Sequence, residues 1–258
     1  MSRVSIMEIA SWNVNSIRAR LEHVTTWLKA RTPDVLLLQE LKGTEFPAAI
    51  FQDMGYESEA VTQKAYNGVA ILSRHSIETV SKTLTGDEAD SHSRYLEVTI
   101  RGLRIVNIYL PNGNPVGSKN FAYKLAWMHR LHNQMSIWRH NERPTLVGGD
   151  FNVIPKDIDC HKPSSWIRDA LFQPEPREKY RQLLKLGYID AFRSLHPDLT
   201  GQFTFWDYFR QAFEHNRGIR IDHFLLSPML ADRLVDCEID KSPRAQAKPS
   251  DHTPIILK

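Results

Sequence analysis

The sequence predicts a single α/β domain built mainly from β-strands. Short runs rich in Val, Ile and Leu recur along the chain, separated by loops and a few segments of helical periodicity. The 258 residues, 41% of them hydrophobic, suffice for one substantial core. No Pro/Gly/Ser-rich linker, low-complexity tract or charge block interrupts the sequence. One domain over 1–258 is expected, with Met7 an alternative start that would make residues 1–6 an N-terminal extension.

The predicted strands are short, apolar and bounded by turn residues. They are Val4–Trp12, Asp34–Gln39, Gly68–Ser73, Leu96–Arg101, Arg104–Leu110, Pro144–Gly149, Gly201–Trp206, Arg220–Ser227, Val235–Asp240 and Pro254–Leu257. Gly102 separates two alternating runs, so residues 96–110 are expected to form a β-hairpin.

The clearest predicted helix is Lys119–Asn141, whose apolar residues recur every three or four positions. They are Phe121, Leu125, Met128, Leu131, Met135 and Trp138. Arg18–Ala30 has the same pattern, and Pro33 follows it as a stop signal. Shorter helices are predicted for Glu178–Leu186 and Pro228–Leu234. We expect these apolar faces to pack against sheets.

Polar side chains end, or closely flank, six of the predicted strands. They are Asn13, Glu40, Tyr109, Asp150 with Asn152, Asp222, and Asp251 with His252. An unpaired charge beside a core is costly, whereas polar groups at strand ends can converge at one sheet edge. The set therefore predicts a site for a divalent cation and a phosphate.

These residue types suit metal-assisted hydrolysis of a phosphodiester. Hard oxygen ligands hold Mg²⁺ or Mn²⁺, and such an ion stabilises developing charge and lowers the pKa of a bound water. Glu40 is the first choice as ligand, Asn13 a neutral oxygen donor beside it, and Asp251 a further helper. The whole predicted ligand set is Asn13, Glu40, Asp150, Asn152, Asp251 and His252.

The remaining polar residues have predicted roles in proton transfer. Asp150 and Asn152, two apart on an extended segment, point to the same side and can share an attacking water. Asp222 bonded to one ring nitrogen of His252 would favour an imidazolium that faces a phosphate oxygen. Tyr109 either donates to the phosphate or assists proton transfer as a phenolate, and the sequence does not choose.

Simpler interpretations exist for single residues but not for the set. Asn13 alone is typical of a turn, Asp222 could pair with Arg220 or Arg217, and Tyr109 alone is typical of a half-buried strand aromatic. Ser250-Asp251-His252 has the residue types of a hydrolase triad. Neighbours on a strand cannot adopt triad geometry, however, and no G-x-S-x-G elbow occurs.

Composition narrows the cellular context. The two cysteines, Cys160 and Cys237, have neither disulfide-framework nor zinc spacing and fit a reducing compartment. No apolar stretch approaches the length of a membrane span, and the first residues of this sequence lack the apolar core of a signal peptide. We expect a cytoplasmic protein without membrane contact, and the net charge of +3 weakly favours a polyanionic partner.

The motifs together resemble the exonuclease III family of apurinic/apyrimidinic (AP) endonucleases, most closely its bacterial branch. They are Ser11-Trp-Asn13-Val-Asn15-Ser-Ile-Arg18-Ala-Arg20, Leu38-Gln39-Glu40-Leu-Lys42, Tyr66-Asn67-Gly68-Val-Ala70-Ile, Asn107-Ile-Tyr109-Leu-Pro111-Asn112-Gly113, Gly149-Asp150-Phe-Asn152, Phe205-Trp206-Asp207-Tyr208, Asn216-Arg217-Gly218-Ile-Arg220-Ile-Asp222 and Lys248-Pro249-Ser250-Asp251-His252-Thr-Pro254. They occur in family order from about residue 7 to the C-terminus.

The resemblance implies a four-layer α/β sandwich, in which two mixed sheets pack face to face with helices outside. It implies a monomeric Mg²⁺-dependent repair enzyme that cleaves double-stranded DNA at abasic sites, with 3′→5′ exonuclease and 3′-phosphatase or phosphodiesterase activity at 3′-blocked ends. By motif, Asn13, Glu40 and Asp251 lie beside the metal, and Tyr109 is the active-site tyrosine. Asp150 and Asn152 activate and orient the attacking water, and Asp222 is the partner of His252. Arg94, Asn112 and Arg217 would touch DNA phosphates, and Phe205, Ile219 and Ile221 would line the pocket for the abasic sugar.

Two features depart from the eukaryotic pattern: Asn15 stands where an aspartate lies near the metal, and Ile219 replaces a pocket tryptophan. In addition, the segment 160–177 is short and places bulky Leu171 and Phe172 near the DNA-facing loop, which bears on the balance of the three activities. Two other functions are compatible with the same scaffold. One is a phosphoesterase acting on lipid or inositol phosphates, and the other is a non-catalytic nucleic-acid-binding protein.

Overall fold

The computed structural model describes residues 6–258 as two six-stranded sheets packed face to face between outer helices. The four-layer α/β sandwich is therefore confirmed. Most of the predicted extension 1–6 and the start of the predicted strand Val4–Trp12 lie outside the described residues. A single domain over 1–258 stays a prediction. Within the described residues, no helix is both long enough and apolar enough to cross a bilayer.

The first sheet has the order β11-β12-β1-β2-β4-β3. Its strands are β1 (Ile9–Asn13), β2 (Val35–Gln39), β3 (Glu57–Val61), β4 (Val69–Ser73), β11 (Cys237–Ile239) and β12 (Ile255–Leu257). Strands β1 and β2 are parallel, and the other pairings of these strands are antiparallel.

The second sheet has the order β5-β6-β7-β8-β10-β9. Its strands are β5 (Glu78–Ser81), β6 (Tyr95–Ile100), β7 (Leu103–Tyr109), β8 (Thr145–Asp150), β9 (Ile189–Asp190) and β10 (Asp222–Leu226). Strands β6 and β7 form the expected hairpin, β7 and β8 are parallel, and the other pairings are antiparallel.

The two sheets share one pairing pattern, a central parallel pair flanked by antiparallel strands. In this pattern β1 corresponds to β8, and β2 to β7. The C-terminal ends of a parallel pair lie at one sheet edge, which is where sites on such sheets form. Asn13 therefore ends β1 as Asp150 ends β8, and Tyr109 ends β7 as Gln39 ends β2, directly before Glu40.

Three apolar layers hold the sandwich together. Between the sheets lie side chains such as Val35 and Ile71 from the first and Ile105 and Phe224 from the second. The outer face of the first sheet packs on α1 and α2, and that of the second sheet packs on α3 and α4. The helices are α1 (Ile17–Arg31), α2 (Ala48–Asp53), α3 (Lys119–His140), α4 (Pro174–Lys185), α5 (Ala191–Leu195) and α6 (Pro228–Ala231).

The two longest helices agree with the sequence prediction, and their caps explain their bounds. The hydroxyl of Ser16 accepts from the Ala19 amide at the start of α1, and that of Ser118 accepts from the Phe121 amide at the start of α3. Helix α4 begins at Pro174, four residues before the predicted start, because proline suits the first helical turn.

The predicted strand Gly201–Trp206 is wrong. Only Phe205 makes bridge pairings there, with Ile219 and His252. The backbone turns away after Phe205, because the Phe205 amide donates to Ile219 O and the next amide, of Trp206, donates to Asp251 O. The segment therefore joins two loops instead of extending a sheet.

Several short strands and helices of the structure were not predicted from the sequence. Strands β3 and β5 lie at sheet edges and expose polar residues, so they lack an apolar pattern. Strand β9 and helices α2 and α5 span too few residues to show a period.

A buried ionic network supports the strand that precedes Asp222. Arg220 donates to Asp159 and Asp190, and all three side chains are almost fully buried. Burial alone would raise the pKa of Asp190, but the charge and hydrogen bonds of Arg220, with the charge of His223 and the Arg193 amide, together lower that pKa to about 2. Asp190 is therefore ionised and depends on Arg220 for its counter-charge.

We predict that Arg220→Met destabilises the fold by about 3–5 kcal/mol, because it leaves two buried carboxylates without their cation. Urea unfolding at pH 7 measures the change. The exposed Arg233 supplies the control, since Arg233→Met should alter stability by less than about 0.5 kcal/mol. Equal stability of the two variants would contradict the ion-pair role of Arg220.

Candidate active site

One edge of the sandwich gathers polar side chains from both sheets. Asn13, Asp150 and Asp222 sit at the ends of β1, β8 and β10, while Glu40 and Asn152 follow strand ends by one or two residues. Glu40 and Asn152 adopt left-handed backbone angles, with φ of 54° and 46°. Such angles are uncommon outside glycine, and here they turn the chain sharply at the point where each side chain is presented.

Asn13 bridges the two sheets. Its amide nitrogen donates to Glu40 Oε1 at 2.9 Å and to Asp150 Oδ2 at 3.0 Å. Its amide oxygen accepts from the Asn15 backbone amide at 3.0 Å, which fixes this orientation. Asn13 is thus a bridging donor in this structure, in contrast to the neutral oxygen ligand that the sequence predicts.

Asp150 is buried at the centre of the site, with 1% of its surface exposed. Its Oδ1 accepts from the Asn152 backbone amide at 2.8 Å. Gly149 allows the strand to approach β7, since a Cβ there would lie 2.0 Å from Ile108 O. Burial, together with the charges of Asp222 and Glu40, raises the pKa of Asp150 to about 7, against the opposing effect of His252.

Asp222 and His252 form the predicted pair. Asp222 Oδ2 lies 2.8 Å from His252 Nδ1, and both side chains are buried. Burial alone would lower the pKa of His252, but Asp222 and the charges of Asp150 and Asp251 together raise that pKa to about 10. His252 is therefore an imidazolium at neutral pH, with Nε2 3.8 Å from Asp150 Oδ2. The alternative pairing of Asp222 with Arg220 does not occur, because Arg220 binds Asp159 and Asp190.

Glu40, Asp150 and His252 lie close together, with one side-chain N or O atom of each within 4.8 Å of the others. The two carboxylates suit a metal ion. His252, as an imidazolium paired with Asp222, has no free lone pair, so the prediction that it binds the metal does not fit this structure. Two observations fit a cation here: Asp222 Oδ1 is buried without a hydrogen-bond partner, and burial together with the charges of Asp222 and Glu40 raises the pKa of Asp150. Carboxylate oxygens are the hard ligands that divalent cations favour.

Asp251 lies outside this cluster. Its Oδ1 accepts from Asn15 Nδ2 at 3.1 Å, which directs the carboxylate toward Asn15. Lys42 binds Glu40 Oε2 at 2.8 Å, and it also contacts the Asn15 side chain. Burial alone would raise the pKa of Glu40, but Lys42, Asn13 and His252 together lower it. The helper role of Asp251 in metal binding therefore stays a prediction, whereas Glu40 is part of the cluster.

Tyr109 enters the site as a neutral phenol. Burial, then the charges of Glu40 and Asp150, raise the pKa of Tyr109 well above its usual value. This favours the donor role over the phenolate, two roles that the sequence leaves open. The guanidinium of Arg94 lies 4.8 Å from the ring centroid and donates to Tyr109 O, so Arg94 is anchored to the tyrosine.

Asn152 and Asn112 lie side by side on the loops that follow β8 and β7. Asn112 Nδ2 donates to Asn152 Oδ1 at 3.3 Å, and Asn152 Nδ2 donates to Leu110 O at 2.9 Å. Asn112 is exposed, as the predicted phosphate contact requires. Lys124 contacts the same loops from α3, and it was not among the predicted site residues because only the fold brings α3 beside both loops.

The predicted sugar pocket is largely filled in this structure. Ile219 and Ile221 are buried in an apolar cluster with Leu171, and only Phe205 remains partly exposed. The Phe205 ring packs edge-on against His252 with centroids 5.0 Å apart. An open cavity of about 980 Å³ has Arg217 in its lining, and Arg217 is exposed.

Comparisons with known proteins agree with this geometry. A model of the Endonuclease/Exonuclease/phosphatase family matches residues 10–252. The chain is 34% identical to Exodeoxyribonuclease III of Haemophilus influenzae, over 96% of this chain and 98% of that protein.

Two solved structures each superpose with a TM-score of 0.94 over 98% of this chain and 99% of theirs. One is an AP endonuclease from Archaeoglobus fulgidus, at 38% identity. The other is the 3′ phosphatase NExo from Neisseria bound to a product DNA hairpin, at 37% identity. The similarity spans every strand end that contributes to the site, from Asn13 to His252.

Proposed function

Because the chain belongs to the endonuclease/exonuclease/phosphatase family, in its exonuclease III branch, we propose that it hydrolyses phosphodiesters of damaged DNA with a divalent cation. The substrates are abasic sites in double-stranded DNA and blocked 3′ ends. One observation supports this most strongly. A buried Asp150 is held by Asn13 and the Asn152 amide, within 4 Å of an imidazolium that Asp222 orients.

Each side chain of the site has a separate proposed role in the hydrolysis. Asp150 takes the proton of an attacking water, and its pKa of about 7 suits a base that works near neutral pH. Asn152 and Asn112 orient the water and a phosphate oxygen. His252 and the Tyr109 phenol donate to oxygens that gain negative charge. Mg²⁺, bound by Glu40 with Asp150, would neutralise charge on the phosphate and on the departing oxygen.

Affinity for DNA would come from exposed cations and the phosphate backbone. Of the basic residues near the site, Arg18, Lys64, Lys119 and Arg217 are exposed and free to meet phosphates. Arg20, Lys42 and Arg94 instead bind groups within the protein. We therefore propose binding with little sequence preference and with affinity that falls as salt rises. One chain supplies the whole site, which supports a monomer.

An incision assay tests the proposal. Three duplexes are compared in Mg²⁺ and in EDTA: one with an abasic-site analogue, one undamaged with a recessed 3′ end, and one with a 3′-phosphate nick. We expect metal-dependent cleavage of at least one of them, and the product ratio assigns the dominant activity. If the protein cleaved none of the three duplexes in Mg²⁺ or Mn²⁺ and hydrolysed an inositol phosphate instead, the proposed function would be contradicted.

The filled sugar pocket leads to a prediction about the balance of activities. Leu171→Ala should open space beside Ile219 and Ile221, and so raise incision at an abasic site relative to 3′-phosphate removal. A ratio change of about tenfold is expected, since one lost side-chain contact in a pocket shifts discrimination by about 1–3 kcal/mol. Leu183→Ala, a buried leucine of α4 in another cluster, is the control for general destabilisation. If both variants had the same ratio of abasic-site incision to 3′-phosphate removal, Leu171 would not control access to the sugar pocket.

A further inference from the structure

Lys124 is a fully buried lysine that the proposed chemistry does not use. Burial lowers the pKa of Lys124 to about 7, against the charges of Asp150 and Asp169. Lys124 lies on α3 with 0% of its surface exposed, in line with the apolar residues of that helix. A lysine at such a position is rare, because burying an ammonium costs several kcal/mol unless its hydrogens are all bonded. The Lys124 ammonium satisfies this condition in an unusual way.

All partners of Lys124 are backbone carbonyl oxygens of the two loops at the site. Its Nζ donates to Pro111 O at 3.0 Å, to Asn112 O at 3.1 Å and to Asn152 O at 2.6 Å. An ammonium has three N–H donors, so each one is used. The side chain therefore cross-links the loop after β7 to the loop after β8.

The chain around Lys124 is shaped to accept it. A Cβ at Gly113 would lie 2.5 Å from Lys124 Cδ, so only glycine allows the loop to pass over the lysine stem. Gly113 also has a φ of +89°, which glycine adopts without strain. The loop that carries Asn112 is thus built around the lysine.

We propose that Lys124 is a positioning residue. It fixes the backbone of Asn112 and Asn152 so that their side-chain amides can bind the attacking water and a phosphate oxygen. This inference rests on the proposed function. The side-chain amide of Asn152 makes two hydrogen bonds: its oxygen accepts from the exposed Asn112, and its nitrogen donates to Leu110 O. Both partners belong to the loop after β7, which Lys124 also binds. Displacement of the Asn152 backbone would therefore move its amide directly.

The test replaces Lys124 with methionine, which keeps the length of the stem and removes the donors. We expect kcat on abasic duplex DNA to fall about 10- to 100-fold, as small misplacements of catalytic groups do, with KM changed less than about threefold. Lys185→Met, at a lysine whose side chain is 71% exposed on α4, is the matched control and should leave both constants unchanged.

A double-mutant cycle separates positioning from general stability. If Lys124 acts through Asn152, Lys124→Met should cost less than about threefold in an Asn152→Ala background. Full additivity of the two effects, or a kcat of the single variant within about twofold of wild type, would overturn the inference. If the Lys124→Met variant does not fold, Lys124→Gln, which keeps two donors, takes its place in the cycle. An inactive wild-type enzyme would count against the proposed function instead.

Discussion

Asp150→Asn is expected to lower the rate of incision by about three orders of magnitude while DNA affinity changes less than about threefold. The substitution keeps the size of the side chain and the acceptor for the Asn152 amide. It removes the carboxylate that lies between Asn13 and His252 and can take a proton from water. Single-turnover incision and equilibrium binding to an abasic duplex measure the two effects separately.

The same variant should be more stable than wild type in EDTA at pH 8. Burial raises the pKa of Asp150 to about 7, far above its value in an unfolded chain, so the native state binds more protons between these pKa values. The contribution of Asp150 to stability is consequently full below its unfolded-state pKa and is lost as pH rises through about 7. An amide at this position does not titrate, so Asp150→Asn removes the loss of stability that ionisation of Asp150 causes.

Thermal melts in EDTA from pH 5 to pH 8 test this expectation. The Tm of wild type should fall across the range more steeply than that of Asp150→Asn. The exposed Asp53 of α2 supplies the control, because Asp53→Asn should alter neither rate nor melting behaviour. A variant that melts lower than wild type and turns over normally would exclude the role given to Asp150.

The second large effect is expected at His252. His252→Ala should reduce the rate by about two to four orders of magnitude, because the imidazolium that faces the phosphate is lost. It should also weaken DNA binding, unlike Asp150→Asn, since a positive charge leaves the site. The buried Asp222 would then lack its partner, so a lower Tm is expected as well.

Asp222→Asn tests the partnership without removing the ring. Of the groups that raise the pKa of His252 against burial, Asp222 has the largest effect, so its neutralisation should lower that pKa. Activity that needs the imidazolium should therefore decline at lower pH than in wild type, with an intermediate rate at pH 6. An unchanged alkaline limb of the pH–rate profile would show that Asp222 does not control His252.

The strand ends show how far sequence can predict this site. Acids and amides after apolar runs are costly unless they converge, and the structure does bring Glu40, Asp150, Asp222 and His252 together. The pairing of Asp222 was predictable from residue types. The orientation of Asn13 was not, because it depends on a contact with the backbone of Asn15 after the chain turns.

Other features depend on tertiary packing that no local pattern contains. Leu171 is distant in sequence from Ile219 and Ile221, and only the folded loop places it beside them. Lys124 breaks an otherwise apolar helical face, which was a usable signal, but its carbonyl partners lie on two separate loops. The segment Gly201–Trp206 is apolar for a similar reason, since it packs between loops and not within a sheet.

The most direct measurement compares single-turnover incision by Asp150→Asn, His252→Ala and the double variant at saturating Mg²⁺. If the two side chains serve one transition state at one centre, the double variant should be within about tenfold of the slower single variant. Independent sites would instead multiply the two losses. A double variant slower by the full product of the single effects would contradict a single catalytic centre.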